Sequence, residues 1–330
     1  MNKLYPLKFK PQLLEKIWGG EKLGVLLNKD VRPGDKCGES WELSAVEGHL
    51  SIVSNGFLKG NDIQELVEIY MGDLVGDRIY DCFGIEFPLL IKFIDAADDL
   101  SVQVHPDDEL AKKRHNAYGK TEMWYVINAD KSAKLNAGFN QPVTREKYLE
   151  YFESGNPMDL LNFEDVNPGD VFFIPAGRVH AIGKGIVVAE IQQTSDVTYR
   201  IFDYNRIDKD GNPRELHTDL ALDALDFTWR EGSNKTPYQK ELNKTEQLVE
   251  CKYFTTNIIE FDKPVEKDIE FLDSFVIYMC IDGCFDIVWK EGSETMQKGD
   301  TVLVPASFDE YTLKPDGKVK TLEIYIEKTE

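Results

Sequence analysis

Apolar and polar positions alternate along this chain in short bursts. β-Branched and aromatic runs recur at residues 42–44, 49–53, 89–93, 101–104, 122–127, 171–174, 186–192 and 199–203, each bounded by Gly, Pro or Asp. A further set follows at 253–261, 275–281, 285–289, 301–304 and 319–326. Many short strands at close spacing predict a sandwich or barrel rather than alternating strand–helix winding. Helical periodicity is confined to a few places. Ile63, Leu66 and Val67 share one face over residues 61–70, with Asn61 or Asp62 as the N-cap. Tyr148, Leu149 and Phe152 do the same after a Thr144 cap, and residues 218–225 are a third candidate. The charged run 107–114 reads as a solvated helix face, acids early and bases late as the helix dipole prefers. These helices decorate a β scaffold.

An internal echo divides the scaffold in two. Gly169, Asp170, Pro175, Gly177 and His180 read as G-D-x4-P-x-G-x2-H. Gly299, Asp300, Pro305 and Ala306 repeat the same register later, with Ser307 in place of the second Gly and Glu310 in place of the His. Each copy reads as a turn, a buried strand and a Pro-ended turn. The chain therefore divides into residues 1–235 and 236–330, joined within the polar stretch 230–247. A length of 330 residues agrees with two domains of about 100–200 residues each.

Composition narrows the function. With 38 basic and 59 acidic side chains the formal charge is −21, which repels phosphate backbones and anionic membranes. Nucleic-acid and membrane partners are thus excluded from the reading, and an anionic ligand would need a local basic pocket. No apolar run approaches the ~18 residues of a bilayer span, and no apolar region near the N-terminus marks a secretory signal. The five cysteines, Cys37, Cys82, Cys251, Cys280 and Cys284, are scattered and odd in number. They read as reduced thiols of a cytoplasmic protein.

The chemistry-bearing residues lie between positions 103 and 180. Gln103 and His105 stand at i and i+2 of one strand, hence on one face. Glu122 opens the next strong strand, and His180 closes a turn shaped by Pro175 and Gly177. Two imidazoles and a carboxylate, with an amide as a weaker fourth ligand, suit a divalent metal and leave a position open. His49, His115 and His217 lack such company. Lys92, inside an apolar strand, also has a plain structural reading with its stem along the core edge. Arg200 has one as well, paired with Asp196 or Asp203.

Residues 169–180 resemble the second cupin motif, and Gln103, His105 and Glu122 resemble the first with Gln in place of its leading His. That substitution, together with Phe87 to Lys92, Val102 to Pro106, Gly119 to Glu122, and Gln192 to Asp196 leading to Tyr199 and Arg200, resembles the type I phosphomannose isomerases in their short bacterial form. The specific likeness runs from about residue 10 through Phe227. The resemblance implies a mainly β fold of two cupin (jelly-roll β-barrel) domains with small helical decorations, the second domain free of metal. It implies one Zn2+ per chain held by Gln103, His105, Glu122 and His180. It implies active-site roles for Arg200, near Asp196, and for Lys92 and Lys120 as partners of a sugar phosphate. The reaction implied is interconversion of D-mannose 6-phosphate and D-fructose 6-phosphate through a cis-enediolate. For the general base, a metal-bound water, Asp196, His180 and a desolvated lysine stay open. Residues 38–42 are read as structural. A sugar-phosphate-binding regulatory module is the alternative to an enzyme, and a metal-dependent oxygenase on the same fold is a third reading.

Overall fold

Central strands buried on both faces and edge strands of mixed burial build two pairs of sheets. They are seen in a computed structural model that describes residues 3–207, 211–229 and 231–327. Of the expected connection over 230–247, Arg230 lies outside the described residues. In the first unit, six antiparallel strands run in the order Gln12–Gly20, Cys37–Leu43, Leu89–Ala96, Ile186–Gln193, Glu122–Ala129 and Val171–Ile174. Its second sheet orders Tyr199–Phe202, Val102–Val104, His180–Ile182, Lys134–Phe139 and Leu161–Asp165. Trp124, Phe172 and Val188 of the larger sheet share a core with Leu135, Ala137 and Ile182 of the smaller.

The second unit repeats the plan. Thr301–Val304, Val276–Asp282, Val319–Tyr325, Thr255–Phe261 and Lys244–Glu250 form one sheet, to which the N-terminal strand Leu7–Lys8 adds an edge. Val265–Asp268, Glu310–Pro315, Cys284–Trp289 and Gly292–Gln297 form the other. The class is mainly β, as expected. Each jelly roll is two separate hydrogen-bonded ladders rather than one closed ring.

The sequence echo is a structural echo. Gly169 and Gly299 hold φ of +92° and +90°, a left-handed turn that glycine takes at no steric cost. Asp170 accepts from the Asn167 N–H at 2.8 Å, and Asp300 from the Gln297 N–H at 3.0 Å. Val171–Ile174 and Thr301–Val304 then follow in matching positions.

Helices sit where caps and periodicity place them. Ile63–Tyr70 begins with a full capping box between Asp62 and Glu65, and Ile63, Leu66 and Val67 are its buried face. Thr144 caps Arg145–Glu153, Asp107 caps Asp108–His115, and Thr218–Ala224 is the third anticipated helix. Lys22–Leu27, Gly72–Val75 and Asp77–Phe83 were not anticipated, since each is too short to show a period. The strand expected at 49–53 is reduced to isolated bridges at Ile52 and Val53. The largest core cluster crosses the two units, joining Leu66, Leu74 and Phe87 to Phe254, Phe275 and Leu322. Phe87 and Phe275 meet with ring centroids 4.7 Å apart.

Candidate active site

The sheet registers explain why distant residues converge. His180 lies opposite Gln103, and Gln103 lies opposite Arg200 on its other side. Directly opposed residues share a sheet face, so these three side chains form one row. In the larger sheet Trp41 opposes Lys92, Lys92 opposes Glu190, and Glu190 opposes Trp124. Glu122, two residues before Trp124, shares that face.

Local geometry locks the ligand-bearing segments together. Gly177 has φ +86°, and a Cβ there would stand 3.0 Å from the Ala224 carbonyl oxygen. The Gly177 N–H donates to the His105 carbonyl at 2.9 Å, tying one imidazole segment to the other. The Lys120 N–H donates to the Pro106 carbonyl at 3.1 Å. Thr121 takes part from both sides, donating its N–H to Gln193 Oε1 and accepting from the Ala176 N–H at Oγ1.

His105, Glu122 and His180 are buried, and their ligand atoms all lie within 4.8 Å of one another. His105 Nε2 and His180 Nε2 each stand 3.4 Å from a Glu122 oxygen. His105 Nδ1–H donates to the Val197 carbonyl at 2.9 Å and His180 Nδ1–H to the Arg178 carbonyl at 2.8 Å. A carbonyl only accepts, so each proton sits on Nδ1 and each Nε2 turns a bare lone pair inward. Burial, then the Lys120 cation, pushes His105 down to about 3, and burial lowers His180 as well. Burial would raise Glu122, but Lys120, 3.5 Å away, and the two imidazoles hold it well below the usual carboxylate range. Four buried acceptor atoms, His105 Nε2, His180 Nε2 and both Glu122 oxygens, have no hydrogen-bond partner. Orphaned buried acceptors are costly, and neutral imidazoles around a carboxylate are the donor set a divalent cation satisfies. The residues present fit the metal.

Beside the triad lies a cavity of about 400 Å3, within the range of small-molecule sites. Gln103, Lys92, Lys120, Asp196 and Arg200 all line it. Glu190 and Arg214, which the sequence did not single out, line it too, as do Glu39 and Trp41. Glu190 had a signal: it is a buried charge flanked by Ala189 and Ile191, as Lys92 is flanked by Ile91 and Phe93. Lys92 Nζ pairs with Glu190 at 2.7 Å and with Glu39 at 4.0 Å, and these carboxylates outweigh burial and raise its pKa. Burial beside Glu122 raises Glu190. Trp124 and Trp41 donate their indole N–H to Glu190 and Glu39, both at 2.6 Å. Lys92 and Lys16 bring Glu39 down to about 2 against its burial. Glu39 and Trp41 of the segment 38–42, read from sequence as structural, thus also build the cavity wall.

The remaining histidines are occupied elsewhere. His49 meets Gln12, His115 meets the Tyr199 hydroxyl at 2.8 Å, and His217 Nδ1 accepts from the Arg200 N–H at 3.0 Å. A larger cleft of about 1020 Å3 lies between the two units and holds none of the triad. Asp196, exposed, borders both spaces.

The chain resembles known proteins along nearly its whole length. The family model for the catalytic domain of type I phosphomannose isomerase matches residues 6–132, and the model for the mannose-6-phosphate isomerase cupin domain matches residues 244–325. The chain is 37% identical to mannose-6-phosphate isomerase ManA of Bacillus subtilis over 94% of its own length and 96% of that protein. It is 34% identical to the mannose-6-phosphate isomerase of Streptococcus mutans, again over 94% of this chain and 96% of the relative. A crystal structure of the mannose 6-phosphate isomerase from Bacillus subtilis superposes with a TM-score of 0.88 at 31% identity, covering 97% of this chain and 99% of that one.

Proposed function

The chain belongs to the type I phosphomannose isomerase family, and on that premise we propose that it is a zinc-dependent aldose–ketose isomerase interconverting D-mannose 6-phosphate and D-fructose 6-phosphate through a cis-enediolate. The observation that carries the metal part is the set of four buried acceptor atoms on His105, Glu122 and His180 with no hydrogen-bond partner. Those three residues would hold the ion, with Gln103 as the fourth ligand from the row it shares with His180. A bound zinc ion would supply redox-inert Lewis acidity toward the sugar oxygens.

The chain's own residues do the rest. Glu190, buried on the cavity wall, is assigned the proton transfer between C1 and C2. Lys92 holds that carboxylate in place, and Lys120 offers hydrogen bonds to sugar hydroxyls beside Glu122. Arg200 stays protonated and balances negative charge that develops on the substrate. Asp196, at the mouth, is assigned a contact to a sugar hydroxyl. Trp18 and Trp41 line the same cavity and keep water from the reacting carbons.

Residues 1–235 are taken as the catalytic unit and 236–330 as a metal-free cupin with a structural task. The chain has no histidine after His217. No helix among the described residues is long and apolar enough to cross a membrane. Five free cysteines support a cytoplasmic setting.

The test is direct. Protein purified without added metal is assayed with fructose 6-phosphate before and after zinc reconstitution, with solvent isotope exchange at C2 in parallel. Metal-dependent exchange and mannose 6-phosphate formation are expected. Binding without exchange would instead make the chain a sugar-phosphate-binding module, and oxygen uptake by iron-loaded protein would make it an oxygenase.

A further inference from the structure

The segment that carries Glu122 is gripped by a residue that does not touch the cavity. Gln193, the buried last residue of the strand Ile186–Gln193, holds Thr121 at both of its backbone groups. Its Oε1 accepts from the Thr121 N–H at 2.9 Å, and its own N–H donates to the Thr121 carbonyl at 3.2 Å. Thr121 stands between Lys120, which lines the cavity, and Glu122 of the triad. A shift of Thr121 therefore moves both. The Thr121 hydroxyl accepts from the Ala176 N–H at 3.2 Å, which ties the same point to the turn leading into His180.

A primary amide presents an acceptor on one side and donors on the other, so a half-turn would reverse its effect. Here both neighbours fix the choice. The Thr121 N–H needs an acceptor, and the Asp108 carboxylate offers only acceptors. Gln193 accordingly turns Oε1 to Thr121 and donates Nε2–H to Asp108 Oδ1 at 2.9 Å. Asp108 is held in its turn. The Gly119 N–H donates to the same oxygen at 2.9 Å, and the Tyr253 hydroxyl donates to Oδ2 at 2.6 Å. A Cβ on Gly119 would stand 2.6 Å from the Asp108 nitrogen, so glycine is what lets these two segments touch. Asp108, Gln193 and Tyr253 all line the larger cleft and none of them lines the 400 Å3 cavity. They act on the site only through Thr121.

We propose that Gln193 is a positioning residue for the metal ligand Glu122, and that Tyr253 of the second unit, through Asp108, holds Gln193 to that task. The inference deepens the isomerase reading and rests on its metal part. Partners one step beyond a metal ligand set its aim, and here that step is relayed across the boundary between the units. The second unit thereby contributes to metal retention without placing a side chain in the cavity.

The experiment measures metal binding by the full chain, with Zn2+ titrated against a chromophoric chelator and Co2+ as a spectroscopic probe. Gln193→Met keeps the length of the side chain and removes its polar bonds. It is expected to weaken zinc binding about ten- to hundredfold, as loss of an outer partner of a metal ligand does. The visible bands of bound Co2+, which report ligand geometry, should shift with it. Tyr253→Phe removes one hydroxyl and should weaken zinc binding about three- to tenfold. The double variant should bind zinc no more weakly than Gln193→Met alone, because Tyr253 then has no route to Glu122. Losses that multiply instead would mark two independent effects and overturn the relay. Wild-type zinc affinity and Co2+ bands in folded Gln193→Met would overturn the whole assignment. Should that variant fail to fold, Tyr253→Phe decides alone, and wild-type zinc affinity in it would overturn the proposal. A wild type whose metal affinity depends on Gln193 yet shows no isomerisation would leave the positioning role standing and sink the isomerase reading. A wild type that takes up neither metal would sink both.

Discussion

Lys92 Nζ lies 2.7 Å from Glu190 Oε1, with the two side chains only 7% and 4% exposed. A buried pair of this kind gains little over an apolar pair, but removing one partner strands the other. Lys92→Met is therefore expected to cost about 3–5 kcal/mol in chemical denaturation and to abolish isomerisation. Lys92→Met combined with Glu190→Leu should regain most of the stability while staying inactive. A double variant no more stable than the single one would show that Lys92 does not depend on Glu190.

Metal removal gives the second expectation. His105 and His180 have their Nδ1 protons committed to backbone carbonyls, so the inward lone pairs are fixed before any ion arrives. Exhaustive dialysis against a chelator should remove activity in proportion to metal content and lower the melting temperature, because a ligand of the folded state stabilises it by mass action. Glu122→Gln should lose the ion and the activity together. Full activity at a metal content near zero would remove the metal from the mechanism.

Much of this site is legible in the sequence because the cupin motifs encode geometry. Gly177 is needed for a left-handed turn against Ala224, and that turn aims His180 and bonds the His105 carbonyl. The parts that stayed hidden are encoded by partners rather than by motifs. Glu190 matters because Lys92 stands opposite it, and Glu39 because it reaches Lys92 diagonally from the neighbouring strand; strand register is not visible in one sequence. Strands such as Lys244–Glu250, Gly292–Gln297 and Glu310–Pro315 escaped because their polar faces break the apolar runs that mark the central strands. Gln12–Gly20 escaped as an edge strand with mixed burial.

The two units are also joined by a titratable contact. Tyr253 of the second unit donates to Asp108 of the first at 2.6 Å, and Gln193 and the Gly119 N–H, each at 2.9 Å, complete its shell. Burial opposes ionisation of Asp108, but these three donors outweigh it and hold its pKa below the ordinary value of 3.8. A carboxylate depressed in the folded state adds stability that is complete above its unfolded pKa and lost as pH falls through its folded pKa. Asp108→Asn should therefore cost about 1–2 kcal/mol near neutral pH. It should also flatten the fall in stability below about pH 4. A variant whose acid limb matches wild type would remove Asp108 from the pH response.

The second unit has a sharper test in the shared core. Phe254, Phe275, Ile277 and Leu322 pack against Leu66, Leu74, Val75 and Phe87 of the first unit. The helix Asp77–Phe83 leans on the same interface: Asp273 accepts from its first two N–H groups, at 2.7 and 3.2 Å, and Arg78 donates to the Ile326 carbonyl at 3.0 Å. Each large apolar side chain stripped of cover forfeits about 1.5–3 kcal/mol, and several are uncovered at once. A chain ending at residue 235 is expected to aggregate rather than fold, although every residue assigned to the site lies before that point. Phe275→Ala isolates the packing effect. It should lower stability by about 3–5 kcal/mol while leaving kcat near wild type well below the melting temperature, because Phe275 packs on Phe87 in the shared core and does not line the cavity. A soluble, fully active 1–235 fragment would show that the first unit needs no cover, and a large kcat loss in Phe275→Ala at full folding would show that the second unit takes part in the reaction.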